Sequence, residues 1–120
     1  MTYVDGFLLA VPKKNVAAYK KMATVAAKVW MDYGALSYVE AVADDVKPGK
    51  WTSFPQAVKL KKGEVVVFSW ITYKSRKSRD AILGKVMKDE RLAKYMSGAK
   101  KMPFDGKRMI FGGFKSIVEK

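Results

Sequence analysis

Residues Tyr3 to Val11 read as a strand, with Tyr3, Asp5, Phe7 and Leu9 on one face and Val4, Gly6, Leu8 and Ala10 on the other. Both faces are largely apolar, so the strand is expected to be covered on both sides. Pro12, which has no ladder donor, ends it. From about Asn15 to Tyr33 the period changes. Val16, Tyr19, Ala23, Ala26, Trp30 and Tyr33 recur at three- and four-residue steps, which predicts an amphipathic helix. Asn15 is the expected N-cap and Gly34 the expected left-handed stop. Alternation returns over Leu36 to Asp44 as a second strand. Residues 46–63 contain Pro48, Gly49 and Pro55 and form a long loop, with a short extended stretch expected at Val58 to Leu60.

Val65 to Tyr73, dense in β-branched and aromatic residues, is the strongest strand and should be central. Ser75 or Ser78 caps a second helix that turns Ile82, Leu83, Val86 and Met87 inward, and a shorter helical turn runs from Asp89 to about Met96. Ser97 to Lys107 reads as loop. Met109 to Val118 forms the last strand, with Gly112-Gly113 marking a bulge, a bend or a close backbone approach. The order β-α-β-β-α-β predicts one α+β domain over residues 1–120, with a four-stranded antiparallel sheet in the order 4-1-3-2 and both helices on one face. The other sheet face would then expose a large apolar patch, and a second sheet from a homodimer is the economical cover.

At 120 residues, 49% of them hydrophobic, the chain can bury a core without disulfide or metal. Its apolar runs are too short to span a membrane, and Asp5 and Pro12 break the pattern of a secretory leader, so a cytoplasmic location is expected. The sequence has neither cysteine nor histidine. That excludes zinc fingers, Ser-His-Asp and Cys-His catalysis, redox dithiols and histidine-ligated haem, leaving carboxylates, Lys, Arg, Tyr, Ser and Thr to act. Any metal would need oxygen ligands; Asp44-Asp45, the one adjacent acidic pair on a loop, reads as a solvated turn, so no metal and no cofactor is implied. Net charge is +13, of which +8 lies between Lys74 and Arg108. Such a balance attracts polyanions.

Tyr3-Val-Asp-Gly-Phe, Val11-Pro-Lys-Lys-Asn, Ala43-Asp-Asp-Val-Lys-Pro-Gly-Lys, Thr52-Ser-Phe-Pro and Met102-Pro-Phe-Asp-Gly-Lys-Arg-Met occur at separate places along the chain. Together they resemble the YbaA-like family of uncharacterised bacterial proteins. The resemblance implies the dimeric α/β-barrel superfamily, in which two ferredoxin-like sheets face each other around a cavity. Cofactor-free monooxygenases, small-molecule isomerases, haem enzymes and plain ligand binders all belong to it. It supplies no catalytic residues to carry over, and the histidine common in the haem branches is absent here.

Asp5 and Glu40 are carboxylates inside apolar strands, candidates for proton transfer or ligand binding, or else partners in ion pairs. In the expected order they lie two strands, about 10 Å, apart. Tyr38 and Trp70 are candidates for lining the same cavity, or for core. Arg108, at the start of the last strand, is suited to clamping an anion and, in an enzyme, to stabilising an enolate-like or carboxylate group while Asp5 or Glu40 acts as base. Its competing reading is an ion pair with Glu40 or Asp105. Arg76 and Arg79, in the first turn of the second helix, are a candidate anion site or a solvated basic face. Ser97-Gly-Ala-Lys100 matches Ser-x-x-Lys by chance, and Gly98 to Lys107 has the wrong spacing for a P-loop. The expected function is a homodimer holding a small ligand, an anion where Arg108 clamps it, in a sheet-walled cavity. The alternative is a basic module that binds RNA or other nucleic acid without reading sequence: strand three lacks the basic-Gly-aromatic signature of an RNA-recognition motif.

Overall fold

The structure, a computed structural model, describes residues 2–96 and 102–120. Its elements are β1 (Tyr3–Pro12), α1 (Val16–Asp32), β2 (Ser37–Val42), α2 (Phe54–Ala57), β3 (Glu64–Tyr73), α3 (Arg76–Val86), α4 (Glu90–Met96) and β4 (Ile110–Lys115). The strands form one antiparallel sheet in the order β2-β3-β1-β4. The two strands with apolar residues on both faces, β1 and β3, are therefore the central ones, and they pair along their whole length from Tyr3↔Tyr73 to Pro12↔Glu64.

The odd-numbered residues of β1 and β3 look into the helix layer. Leu9, Val11 and Val67 pack with Tyr19 and Ala23 of α1, while Ile71 and Tyr73 join Val29, Trp30, Ile82 and Val86. Burying each of the Leu, Ile and Val side chains among them stabilises the fold by roughly 1.5–3 kcal/mol. Gly34 takes φ +109 after α1, as expected of its stop signal. Ser75 caps α3, its Oγ accepting from the Ser78 N–H at 3.1 Å.

Three local expectations are corrected. Asn15 does not cap α1 with its side chain; a 3-10 turn over Lys13–Asn15 leads into the helix, and Asn15 Nδ2 instead donates to the Pro103 carbonyl at 3.0 Å. Met87 is exposed rather than inward, because the chain leaves the helix at Val86 and turns towards α4. Val58 to Leu60 is not extended. Lys59 is left-handed (φ 52), and Val58 is a buried plug packed on Ala10 and Val66. The turn before it is α2, started by a side-chain cap that pattern reading passes over: Ser53 Oγ accepts from the Gln56 N–H, while Gln56 Oε1 accepts from the Gly49 N–H. The long loop thus folds over one end of the sheet's second face.

Candidate functional site

Strand parity decides where the candidate residues point. Asp5 is buried between β1 and α3, facing the helices. Its Oδ1 lies 3.4 Å from Arg79 Nε, an ion pair without hydrogen-bond geometry. Arg79 Nη2 donates to the Tyr3 hydroxyl at 3.0 Å, its guanidinium lies 4.9 Å from the Tyr3 ring centre, and Nη1 reaches Asp80 at 3.2 Å. Burial pushes the Asp5 carboxyl above its ordinary range; the Tyr73 hydroxyl and Arg79 oppose the rise and Asp80 adds to it. Burial also raises Tyr73, whose oxygen accepts from Trp30 Nε1 at 3.0 Å. Gly113, opposite Asp5, is crowded by side chains, which fits the close approach among the three readings of the glycine pair: a Cβ there would fall 2.3 Å from both Arg79 Nη2 and the Tyr3 hydroxyl oxygen. Arg76 is exposed and among the described residues reaches only Asp80, at 4.0 Å, while Arg79 is turned inward to Asp5 and Tyr3.

Glu40 and Tyr38 also face the helices. Glu40 accepts from the Tyr19 hydroxyl at 2.7 Å and from the Tyr38 hydroxyl at 2.9 Å. Burial, reinforced by the Glu40 charge, raises both phenols. Arg108 pairs with neither Glu40 nor Asp105. It forms a bidentate pair with Glu64 at 2.8 and 2.9 Å, and its Nη2 also donates to the Val58 and Lys59 carbonyls. The guanidinium is committed to holding the left-handed turn against β3, which corrects the reading of Arg108 as a ligand clamp. Asp5, Glu40 and Arg108 therefore stand in three separate polar clusters and do not assemble as base and electrostatic stabiliser. Ser97 to Lys100 lies outside the described residues.

The Arg108 pair has a testable pH signature. Hydrogen bonding to Arg108 holds Glu64 at about 2, below its ordinary value of 4.5. A depressed acid contributes stability above its ordinary value and loses it as pH falls through the native one. Acid titration of unfolding should show wild type losing this contribution between about pH 4.5 and 2, and Glu64→Gln, less stable at neutral pH, should lack that part of the slope.

The second sheet face has a different character. Its cross-strand rows are Ser37, Thr72, Val4 and Phe114; then Val39, Trp70, Gly6 and Gly112; then Ala41, Phe68, Leu8 and Ile110. None of these twelve residues is charged. Trp70, whose face the sequence leaves open, belongs here. Gly6 and Gly112 lie side by side next to it, and the Phe114 ring borders them, 3.7 and 3.8 Å from where their Cβ atoms would stand. Phe68, 43% exposed, touches both Trp70 and Phe54 of α2 edge-on, with ring centres 5.6 and 5.9 Å apart. Asp5, Tyr38 and Glu40, expected to border a sheet-walled cavity, are on the opposite side of the sheet from this face.

The family model described as "Protein of unknown function (DUF1428)" matches residues 2–106. The chain belongs to this family. It is 50% identical over 119 residues to "Uncharacterized protein YbaA" of Escherichia coli K12, covering 99% of each chain, and equally similar to the protein of the same description in Shigella flexneri. The family resemblance carried by the quoted segments is thus shown. Among solved structures, Rv0793 from Mycobacterium tuberculosis superposes with a TM-score of 0.54 at 12% identity, covering 99% of this chain and 98% of the other. At that identity the likeness is one of fold, and it agrees with the α+β architecture. Among the described residues no helix is long and apolar enough to cross a membrane.

Proposed function

We propose that the protein acts as a homodimer whose two uncharged sheet faces meet and hold a small, largely apolar molecule over the Gly6–Gly112 floor, between Trp70 and Phe114. The observation carrying this reading is a twelve-residue face without a charge that leaves Phe68 and Phe114 43% and 64% exposed. A stable interface uses roughly 20–30 residues a side, so twelve are too few alone. Phe54, exposed and edge-on to Phe68, extends the apolar surface beyond the twelve. Stacked sheets sit about 10 Å apart, and paired glycines leave the widest gap between them. The face offers no cation to an anionic ligand and no titratable side chain for proton transfer, so the proposed role is binding, with the Ser37 and Thr72 hydroxyls as its polar groups.

The same absence of cations argues against nucleic acid on the aromatic face. Any affinity for RNA is expected to fall steeply with salt and to ignore sequence, which filter binding with scrambled RNA measures. The ligand reading is tested by native mass spectrometry of protein purified from its own cells. Two chains with a retained small molecule, lost in Trp70→Ala, are expected; a ligand-free dimer, or retention unaffected by Trp70→Ala, would contradict it.

A further inference from the structure

A cleft of about 920 Å³ opens on the opposite side of the molecule from the proposed interface, between the outer flank of α1 and residues 102–108. Its size lies within the range of small-molecule sites. One wall is Lys14, Ala18, Lys21 and Met22; the other is Met102 to Asp105. The walls are joined twice, by the Asn15 Nδ2 bond to the Pro103 carbonyl and by the edge contact of Phe104 on Tyr19, with ring centres 5.6 Å apart. The turn before β3 closes one end with Lys61 and the Glu64–Arg108 pair.

The charge of the cleft is one-sided. Glu64 and Arg108 neutralise each other, which leaves Asp105, hydrogen-bonded to the Lys107 N–H but still charged, against three lysines and the cleft net positive. Lys14, Lys21 and Lys61 have no ion-pair partner among the described residues. The first turn of α1 carries no acid to offset them. Met22, Met102 and Phe104 give the cleft its apolar lining. Lysine stems can lie along such a surface while their ammonium groups stay at the wet rim. Lysine is a point charge that accepts an anionic head without bidentate geometry, and methionine adapts to varied hydrocarbon shapes.

We propose that this cleft binds a small amphipathic organic anion, with a carboxylate head among Lys14, Lys21 and Lys61 and a hydrocarbon body against Met22, Met102 and Phe104. The site is separate from the sheet face and does not depend on the dimer. Decanoate is the probe, with decanol as the same body without charge and acetate as the charge without a body. In protein labelled at methionine and isoleucine methyls, decanoate should shift Met22 and Met102 saturably and leave Met31, Met87 and the sheet-face Ile110 in place. Decanol and acetate should bind at least about tenfold more weakly, and the double variant Lys14→Glu/Lys21→Glu should weaken decanoate by about tenfold or more. Both lysines are exposed, so the variant should fold, with the other methyl signals unchanged. Absence of Met22 and Met102 shifts at millimolar decanoate, shifts confined to Ile110, or affinity unchanged by charge reversal would each overturn the proposal.

Discussion

Exchange of Arg79 for Met should lower the unfolding free energy at pH 7 by about 3 kcal/mol, because it leaves the Asp5 carboxylate buried without its cation. Breaking a buried pair typically costs about 3–5 kcal/mol, and the Arg79 side chain is 19% exposed, which places the effect at the lower end. The loss should depend on pH in a definite direction. Burial already raises the Asp5 carboxyl, and removing Arg79 raises it further. A group with a raised native value contributes stability below its ordinary range and loses it as pH rises through the native one. The penalty in Arg79→Met is therefore greatest near neutrality and shrinks in acid, where a protonated Asp5 needs no counter-charge. Urea unfolding at pH 7 and pH 4 reads the difference, and Asp5→Asn in the Arg79→Met background should recover part of the neutral-pH loss. An equal loss at both pH values would assign the effect to the packing of the arginine stem on Tyr3.

A larger effect is expected on association. Phe68 lies in the last row of the uncharged face, on a central strand, and its 43% exposure means the monomer can carry a lysine there with its ammonium in water. A two-fold axis would bury that lysine twice, each time opposite an apolar surface. At about 2–3 kcal/mol for each unpaired polar group, Phe68→Lys should weaken the dimer by on the order of a thousandfold or more while leaving the helix-side core intact. Sedimentation velocity across a concentration series checks association, and near-ultraviolet circular dichroism checks the fold. Phe7 is not an equivalent position, since it faces the helices and stacks on Phe111 at 6.3 Å.

The element order, the strand order and the central places of β1 and β3 were legible because apolar residues on both faces of a strand can be satisfied only with cover on both sides. Side assignment was less legible. Alternation separates Asp5 from Gly6 but does not say which set meets the helices; that depends on both central strands and both helices at once. The partners were hidden for the same reason. Asp5 and Arg79 are far apart in sequence and meet only when α3 lies across β1, and Arg108 finds Glu64 only once the long loop has folded back. One signal was available: Ser53-x-x-Gln56 has the sequence pattern of a helix start and announces α2 inside what composition reads as loop. The glycine pair was legible as a special position, a bulge, a bend or a close approach, but not as which, and its two members do different things. Gly113 makes room for Arg79 and Tyr3, while Gly112 completes the floor beside Trp70.

Sedimentation equilibrium of the wild-type chain at micromolar concentration tests the account most directly. Meeting of the two uncharged faces predicts a mass of twice 13.5 kDa that falls to one chain in Phe68→Lys. A single-chain mass for wild type across that range, or a dimer that Phe68→Lys leaves unchanged, would contradict it.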